Sequence, residues 1–306
     1  EVMDAADRIT VLRDGKVTGT FAAADTNAEE LSRLMVGREL VPLDKRPASP
    51  GEAVLEVRDL TIRGGRGKAR PVLDRVSFTV RAGEIVGVAG VSGNGQTELV
   101  QAIAGLRVVD SGAVLLNGRD ITGATARRIR ETGLAHIPED RYAWGAAADE
   151  SVADNAAMGH TARFGRGGVL LGGRIRRAVA GWVAEYGIRA GSLEAKAGHL
   201  SGGNLQKLIV ARELAHGTPL VIAAEPTRGV DVGAMETIHR ELVRRRDEGG
   251  AVLLVSSELT EILKLSDRIL VMYEGRIVGE LRTEEATEEL ISLLMTGGTR
   301  HAAGGV

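Results

Sequence analysis

A single stretch of sequence decides the fold: Gly90-Val91-Ser92-Gly93-Asn94-Gly95-Gln96-Thr97. It follows an apolar run at residues 85–89 and precedes helix-spaced apolar residues that include Leu99 and Ile103. This order predicts a strand, a glycine-rich turn and the start of a helix. In such a turn, glycines let successive backbone N–H groups point into one concavity, and the helix N-terminus adds about half a positive charge there. The stretch therefore predicts a phosphate-binding cradle.

The spacing of these residues is that of the phosphate-loop motif G-x-x-x-x-G-K-[ST], with one departure. Where the motif has lysine the chain has Gln96, whereas the hydroxyl that faces Mg²⁺ is kept as Thr97. The loop thus keeps its shape and one weak metal ligand but lacks the cation that reaches the β- and γ-phosphates. For the loop taken alone, a glycine-rich turn that binds no ligand remains an alternative.

Composition places the chain among globular proteins. Its 306 residues suit one large or two ordinary domains, and a 43% apolar content is enough for a core. No stretch approaches the roughly 18–20 apolar residues that cross a bilayer, and residues 1–20 lack the pattern of a signal peptide, so we expect a cytoplasmic location. The formal charge of −2 and the 3% of aromatic residues argue against a nucleic-acid partner.

Cysteine and histidine point to no metal or thiol chemistry. The chain has 0 cysteines, which excludes disulfides and thiol catalysis. The six histidines show no metal-ligand spacing, so ordinary surface or core roles are expected for His136, His160, His199, His216, His239 and His301.

The first 37 residues repeat near the far end of the chain, at an offset of 260 positions (261 minus 1). An internal repeat indicates a repeated structural unit, here of about 260 residues. We therefore expect residues 1–40 to be the C-terminal remnant of a preceding unit and the chain to be a fragment or a truncated product. A similar hairpin and helix that recur by accident are the alternative. Twelve of the 37 positions are identical without a gap: Glu1, Asp7, Arg8, Ile9, Val11, Gly15, Gly19, Glu29, Ser32, Leu34, Met35 and Gly37.

A polar linker with three prolines is predicted at residues 41–53, before a complete unit at 54–298 and a tail at 299–306. Alternating apolar residues predict strands within 55–62 and 76–80, and Asn117-Gly118 predicts a turn. Residues 140–200 predict a helical insertion, with helices near 147–158 and 173–187 separated by a glycine-rich loop at 165–173. Further helices are expected at about 123–131, 204–216 and 233–247, and strands at 134–137, 220–224 and 252–255. This alternation predicts an α/β fold with a mostly parallel sheet covered on both faces.

A second candidate anion site is Leu200-Ser201-Gly202-Gly203-Asn204, at the start of a predicted helix. Taken alone it could be only a capped helix. Together with the phosphate loop, Pro138-Glu139-Asp140-Arg141 and residues 225–231, however, it resembles the nucleotide-binding domain of ABC transporters in order and spacing. The resemblance covers about 54–298 plus the preceding tail, and it implies a P-loop NTPase-type sheet with an antiparallel β subdomain and a helical insertion.

Within that superfamily, the chain is similar to the second half of the fused double ATPase of ribose-type sugar and nucleoside importers. Residues 137–141, 226–234 and 255–259 are typical of that group. The branch linked to nucleoside-binding lipoproteins is the more similar one, because its second loop usually has the same residues as Asn94-Gly95-Gln96.

The resemblance implies ATP and Mg²⁺ as cofactors and assigns roles position by position. Glu225 takes the place of the general base, Glu139 that of a glutamine that senses Mg²⁺, and Asp231 lies in the loop at the dimer interface. Three positions depart from the family: Gln96 replaces the lysine, Ala224 replaces an aspartate that orients Mg²⁺, and Ser257 replaces a histidine at the γ-phosphate. No aromatic residue between 61 and 73 is available to stack on adenine.

The function implied is the degenerate second half of an importer ATPase, peripheral at the cytoplasmic face of the cell membrane. It would offer the signature Leu200–Asn204 to ATP held by the preceding domain, so the isolated chain is expected to be nearly inactive. The expected partners are that domain, a transmembrane permease docked on the insertion near Glu139 and Ser151–Asn155, and indirectly an extracellular substrate-binding protein. A soluble ABC protein that acts on ribosomes or DNA, and a regulatory pseudo-ATPase, are the alternatives.

Overall fold

The structure is a computed structural model that describes residues 2–13, 15–37, 39, 43–64 and 70–298. The expectations that concern Glu1, Pro42 and the tail at 299–306 lie outside these residues. In chain order, the strands are β1 (Arg8–Arg13), β2 (Lys16–Ala22), β3 (Ala53–Ile62), β4 (Leu73–Arg81), β5 (Ile85–Ala89), β6 (Ser111–Leu116), β7 (Arg119–Asp120), β8 (Leu134–Ile137), β9 (Gly165–Arg166), β10 (Val169–Leu170), β11 (Leu220–Ala224), β12 (Ala251–Val255), β13 (Arg268–Tyr273) and β14 (Arg276–Arg282). The helices are α1 (Val2–Ala5), α2 (Ala28–Val36), α3 (Gln96–Ile103), α4 (Ala126–Glu131), α5 (Val152–Ala157), α6 (Thr161–Phe164), α7 (Gly172–Glu185), α8 (Gly202–Leu214), α9 (Val232–Asp247), α10 (Leu259–Leu265) and α11 (Glu288–Met295).

A six-stranded sheet in the order β14-β13-β5-β12-β11-β8 forms the centre of the molecule. Its neighbours pair in parallel except for β14, which is antiparallel to β13. Every residue of β5, β11 and β12 is buried, as expected for parallel strands covered on both faces. The predicted α/β class is confirmed, and the carboxyl ends of these strands carry the loops of the candidate site.

A second, antiparallel sheet in the order β4-β3-β6-β7 packs beside the central one. Asn117 has a φ of 49° and Gly118 a φ of 72° in the turn that joins β6 to β7, as the sequence predicts. The apolar faces of β3 and β4 share one core cluster with α3, which starts at the phosphate loop. This sheet therefore holds the loop from the side opposite the insertion.

Two predictions for the insertion are wrong, one of a helix start and one of a loop. The helix expected near 147–158 starts only at Val152, because the Ser151 hydroxyl caps it by accepting from the Asp154 N–H at 3.0 Å. The stretch 165–173, expected to be a loop, contains the β9–β10 hairpin, whose turn residues Gly167 and Gly168 have φ of 59° and 80°. Helix α7 then covers most of the second predicted helix.

Two other helices start at different residues from those predicted, and in both cases the reason is a side-chain cap. Helix α4 begins at Ala126 because the Thr125 side chain accepts from the Arg128 N–H. Helix α8 begins at Gly202, two residues before the predicted start, because Ser201 caps it through the Asn204 N–H. The two signature glycines therefore form the first turn of the helix itself.

The N-terminal repeat has the same local structure as its counterpart. The β1–β2 hairpin pairs Arg8 with Ala22 and has an irregularity between Val11 and Leu12. The β13–β14 hairpin pairs Arg268 with Arg282 and has its irregularity between Val271 and Met272, each 260 positions later. Helices α2 and α11 follow the hairpins in the same way. In the first copy the hairpin forms a separate two-stranded sheet with its own small apolar cluster.

Within the described ranges, no helix combines the length and the apolar character that crossing a membrane requires.

Candidate functional site

The phosphate loop connects the end of β5 to the start of α3, as the sequence predicts. Gly93 and Gly95 have φ of 92° and 105°, a region that glycine enters without strain. A Cβ on Gly95 would lie 2.8 Å from the Leu73 side chain and 2.9 Å from the Val72 carbonyl, so only glycine fits there. The Asn94 N–H donates to the Val91 carbonyl at 3.1 Å and closes the turn. The backbone of the cradle is therefore intact.

The Gln96 side chain folds back onto the loop. Its Nε2 donates to the Val91 carbonyl at 3.3 Å, and a Cβ on Gly90 would collide with the same amide. A lysine ammonium would bring a positive charge to bound phosphates, whereas this amide is neutral and is paired with the loop itself. The substitution thus removes a charge and also fills part of the loop.

Thr97 and Glu139 come together at the base of the loop. The Thr97 hydroxyl donates to Glu139 Oε2 at 2.9 Å. Both residues line a cavity of about 360 Å³ together with Ala224, which ends β11 and offers only a methyl group. Mg²⁺ in nucleotide sites is held by one or two carboxylates, hydroxyls or waters and the phosphates. Thr97 and Glu139 could supply two oxygen ligands, but the carboxylate expected at position 224 is missing.

Metal ligands are sparse elsewhere too. Across the part of the chain that the structure describes, no group of three or more His, Cys, Asp and Glu side chains is placed to hold a metal ion. The donor set therefore fits ATP-bound Mg²⁺ only in part, through Thr97 and Glu139.

Glu225 is held in a fixed pose next to the end of β11. Its φ of 46° is unusual for a non-glycine residue, and its N–H donates to the Val255 carbonyl at 2.7 Å. Its carboxylate accepts from the Ser257 N–H at 2.7 Å and from the Ser257 hydroxyl at 3.1 Å. Burial raises the pKa of Glu225, and the two Ser257 hydrogen bonds oppose that rise. A raised pKa suits a general base, but Ser257 occupies both carboxylate oxygens.

The signature at Leu200–Asn204 lies at the start of α8. Ser201 Oγ accepts from Asn204 Nδ2 at 2.9 Å, and the first-turn N–H groups face out of the helix end. A Cβ on Gly203 would lie 2.8 Å from Asp231 Oδ2, so a larger residue does not fit. Asp231 in turn caps α9 by accepting from the Ala234 N–H at 2.9 Å. The signature and the Asp231 loop are thus assembled as one surface.

Arg141 ties this surface to the loop that carries Glu139. Its guanidinium donates to the Arg228 carbonyl and, at 3.0 Å, to the Gly229 carbonyl. A Cβ on Gly202 would lie 3.0 Å from the same guanidinium. Arg141 belongs to the motif Pro138–Arg141 but has no predicted role, because nothing in a linear sequence shows that residues 228–229 fold next to it.

The distal end of α8 contains a buried ion network that no sequence motif predicts. Glu213 accepts from Arg212 Nε at 2.8 Å, from Arg130 Nη2 at 2.9 Å and from the His136 N–H at 3.2 Å. Burial alone would raise the pKa of Glu213, but the two guanidinium groups outweigh this and lower it. Arg212 also donates to the carbonyls of Gly145 and Asn155 in the insertion. One helix therefore runs from the signature to the strand that precedes Glu139.

The N-terminal repeat lies against the signature surface. A cavity of about 610 Å³ is lined by Leu12 and Arg13 of β1 together with Ser201, Asn204 and Asp231. The Val36 side chain at the end of α2 comes within 3.3 Å of a Cβ built on Gly233. Of the predicted site residues, those of the phosphate loop, Glu139, Glu225 and Ser257 are grouped near the strand ends, whereas the signature and Asp231 face this other cavity.

The fold and these loops define an ATP-binding cassette. The sequence profile of the ABC transporter family matches residues 73–228, about half of the chain. The chain belongs to the ABC transporter family.

Comparison with curated proteins points to import ATPases. The chain is 46% identical over 301 residues to the guanosine import ATP-binding protein NupO of Bacillus subtilis, covering 97% of this chain and 59% of that protein. It is 47% identical to the glucose import ATP-binding protein TsgD13 of Haloferax volcanii, with coverage of 97% and 55%. It is 45% identical to the ribose import ATP-binding protein RbsA 1 of Rubrobacter xylanophilus, with coverage of 99% and 60%. The chain therefore spans little more than half the length of these relatives.

Solved structures with the same fold are ATP-binding cassettes. A dimeric cassette in a post-hydrolysis state bound to ADP and Pi superposes with a TM-score of 0.66 at 20% identity, covering 75% of this chain and 98% of that one. A nucleotide-free cassette gives a TM-score of 0.64 at 22% identity, covering 79% and 95%. At these identities the likeness establishes the fold alone.

Proposed function

We propose that the chain is the second, degenerate ATP-binding half of an ABC importer subunit, peripheral at the cytoplasmic face of the membrane. In this proposal residues 1–40 end a preceding nucleotide-binding unit, 41–53 link the two units and 54–298 form the second one. The second unit presents Leu200–Asn204 to an ATP molecule held by the first. The imported substrate is a nucleoside or a sugar, as the names of the relatives indicate for those proteins.

The observation that carries this proposal is the place of the N-terminal hairpin. In the complete unit, the turn of the β13–β14 hairpin contacts the phosphate loop: the Glu274 N–H donates to Asn94 Oδ1 and the Gly275 N–H to the Asn94 carbonyl, each at 3.0 Å. In the repeat, Leu12 and Arg13 at the end of β1 line the cavity in front of Ser201. By the internal repeat, a phosphate loop of the preceding unit would then face the signature of this one.

The charge of that cavity supports a bound polyphosphate. Its lining includes the cationic residues Arg13, Arg189, Lys207 and Arg240 and the acidic residues Glu185 and Asp231. The N-terminus of α8, a helix of 13 residues, adds the positive end of its dipole next to Ser201. ATP brought by a partner domain would thus meet backbone donors, a hydroxyl and an excess of positive charge.

The local phosphate cradle contributes less in this proposal. Gln96 supplies no cation, Ala224 no carboxylate, and Ser257 is hydrogen-bonded to the one candidate base, Glu225. Interactions with a charged group are worth roughly 1.5–3 kcal/mol each, so the missing lysine alone weakens ATP binding by about tenfold to a hundredfold. The missing metal and γ-phosphate groups lower hydrolysis further.

The permease partner is proposed to dock at the mouth of the 360 Å³ cavity. Trp144 lines this cavity, and its side chain and that of Tyr142 are 69% and 55% exposed. The docking segment predicted from sequence, Ser151–Asn155, is a poor contact surface because Val152, Ala153 and Asn155 are buried. The exposed aromatic residues next to Glu139 are the better contact points.

Substitution of Ser201 tests the central claim. In the complete two-unit protein, Ser201→Arg places a long cationic side chain in the partner's ATP site and is expected to lower steady-state ATPase activity at least about a hundredfold. Ser192→Arg, at an exposed serine outside the signature, is the matched control and should keep wild-type activity. If the Ser201→Arg protein keeps more than half of the activity, the signature does not serve the partner's site, and a regulatory pseudo-ATPase becomes the better description.

Uptake assays separate the substrate classes. A strain that lacks the two-unit protein is expected to lose uptake of labelled guanosine or uridine, in line with Asn94-Gly95-Gln96. Loss of ribose uptake alone would reverse the choice of nucleoside. Unchanged uptake of all three, with the protein found on ribosomes, would favour the soluble alternative.

A further inference from the structure

The stretch from Asn155 to Ala184 in the insertion contains positively charged side chains and no negatively charged ones. It contains no Asp or Glu, in a chain that has 41 of them, and it holds five arginines: Arg163, Arg166, Arg174, Arg176 and Arg177. The chain as a whole has a net charge of −2. A run of 30 residues without an acidic side chain therefore forms a local positive patch on a nearly neutral protein.

The fold places most of these charges around an exposed apolar tip. The β9–β10 hairpin presents Val169 and Leu170, whose side chains are 63% and 51% exposed, beside its glycine turn. Arg166 lies on the paired strand, and Arg174, Arg176 and Arg177 follow in the first two turns of α7; all four are exposed. Arg163 differs, since it donates to His216 Nδ1 at 3.1 Å. We call Arg166, Val169, Leu170, Arg174, Arg176 and Arg177 the hairpin surface.

None of the four arginines of the hairpin surface pairs with a carboxylate in the described part of the chain. Exposed arginines elsewhere do have such partners, for example Arg58 with Glu56 and Arg127 with Glu131. The four guanidinium groups are thus available to an external anion. The neighbouring Val169 and Leu170 have no core to enter, because the hairpin has only two residues per strand.

We propose that the hairpin surface binds an anionic phospholipid bilayer. Arginines that lie close to such a bilayer are attracted by its negative surface potential, and adjacent apolar side chains gain by entering the boundary between headgroups and acyl chains. An acidic protein segment would satisfy the charges but would give Val169 and Leu170 no apolar environment. The combination of both features at one tip favours lipid as the partner. This inference goes beyond the proposed function and is independent of it, because it concerns a direct contact between this chain and lipid.

Vesicle flotation with the 306-residue chain tests the charge requirement. The chain should float with phosphatidylcholine vesicles that contain phosphatidylglycerol and not with phosphatidylcholine alone. The variant Arg166→Gln, Arg174→Gln, Arg176→Gln, Arg177→Gln should bind at least about tenfold more weakly. The matched control removes four exposed arginines elsewhere, Arg58→Gln, Arg75→Gln, Arg119→Gln and Arg127→Gln, and should bind like wild type. An equal loss of vesicle binding in both variants would contradict the proposal that the hairpin surface is the lipid-binding site. Thermal melting verifies that each variant is folded.

A fluorescent label tests the apolar contact. The chain has 0 cysteines, so Val169→Cys gives a single labelling site for an environment-sensitive dye. Val108→Cys, at a side chain that is 84% exposed outside the insertion, is the control. Anionic vesicles should shift the emission of the dye at position 169 to the blue and leave that at position 108 unchanged. If polyglutamate produces the shift at position 169 and vesicles do not, the partner is an acidic protein segment and the lipid proposal is wrong.

Discussion

The phosphate loop and the signature helix are two candidate anion sites within one chain, and they differ in what would supply the binding groups. At the phosphate loop the backbone has the geometry of a cradle, but the side chains are hydrogen-bonded within the protein. Gln96 donates to the Val91 carbonyl, and Glu225 accepts from the Ser257 N–H. At the signature, Ser201 caps α8 and the first-turn N–H groups face a wide cavity of about 610 Å³. Both regions retain the helix dipole and the glycines.

The difference shows which binding groups depend on the fold and which depend on side-chain identity. The backbone donors of both regions follow from glycine conformation and from helix ends, which the fold itself requires. Side chains at the phosphate loop are instead hydrogen-bonded within the protein, as the Thr97–Glu139 pair at 2.9 Å illustrates. A change of charge at such side chains can therefore alter ligand binding and leave the fold intact.

The largest expected effect is in ATP hydrolysis by the 306-residue chain alone. If the local cradle lacks a working cation, metal carboxylate and γ-phosphate contact, steady-state phosphate release should fall far below the usual enzyme range of about 1 per second or above. Glu225→Gln should leave this low rate of phosphate release unchanged. A contaminating ATPase is recognised by activity that does not co-purify with the chain. Turnover at about 1 per second that Glu225→Gln abolishes would mean that the cradle is active and that the comparison fails.

A second effect concerns the stability of the buried ion network at the distal end of α8, the helix that starts at the signature. Glu213 is 1% exposed and balances Arg212 and Arg130 next to the strand that leads to Glu139. Glu213→Gln leaves two cations around an uncharged group and is expected to lower the free energy of unfolding by about 3–5 kcal/mol. Denaturant titration measures this loss. Glu131→Gln, at an exposed carboxylate whose ion pair among the described residues is with Arg127, should cost less than about 1 kcal/mol.

The sequence predicted the backbone of both regions well. Strands β8 and β11 have the predicted bounds, and the phosphate loop lies between strand and helix as the glycine spacing requires. Helix starts were predicted less well, since the caps Thr125, Ser151 and Ser201 depend on local hydrogen bonds that hydrophobic periodicity does not report.

The side-chain pairs could not be predicted from the sequence. The Glu225–Ser257 pair joins residues 32 positions apart, and the Arg130–Glu213 pair joins residues 83 apart. The first contact arises because parallel strands bring their carboxyl ends together, and the second because two helices distant in sequence, α4 and α8, pack next to each other. A resemblance to a family names positions rather than hydrogen-bond partners. The sequence therefore placed both segments at helix starts, whereas the hydrogen bonds of Gln96 and Glu225 become visible only in the folded chain.

Restoring one cation sharpens the comparison further. Gln96→Lys replaces the neutral amide on the Val91 carbonyl with an ammonium that can reach bound phosphates, so ATP affinity should rise by about tenfold to a hundredfold. Hydrolysis should stay low, because Ala224 and Ser257 are unchanged. Equilibrium binding of a fluorescent ATP analogue to the chain measures the gain. Gln101→Lys, on the same helix outside the loop, is the control. An equal gain in ATP affinity from Gln101→Lys would show that any positive charge near the loop is sufficient and that the position of the lysine does not matter.

The smallest effect concerns the response of the two regions to acid. His136 lies on β8 on the phosphate-loop side, and its Nε2 has no hydrogen-bond partner among the described residues. Burial lowers the pKa of His136 to about 4, with Arg130 and Arg212 adding to the effect and Glu213 opposing it. At pH 7.5, about one unit above the ordinary histidine pKa of about 6.5, the imidazole is almost entirely neutral in both the folded and the unfolded chain, so it has little effect on stability there.

As the pH falls from about 6.5 toward 4, the unfolded chain takes up a proton at His136 that the folded chain refuses, and the free energy of unfolding decreases. At pH 5.5 this contribution amounts to about 1 kcal/mol. His136→Leu removes the titrating group, so the variant should lose about 1 kcal/mol less than wild type between pH 7.5 and 5.5 in urea titrations. If His136→Leu and wild type lose the same free energy over this range, the proton is taken up elsewhere, and burial of His136 does not make the phosphate-loop side sensitive to acid.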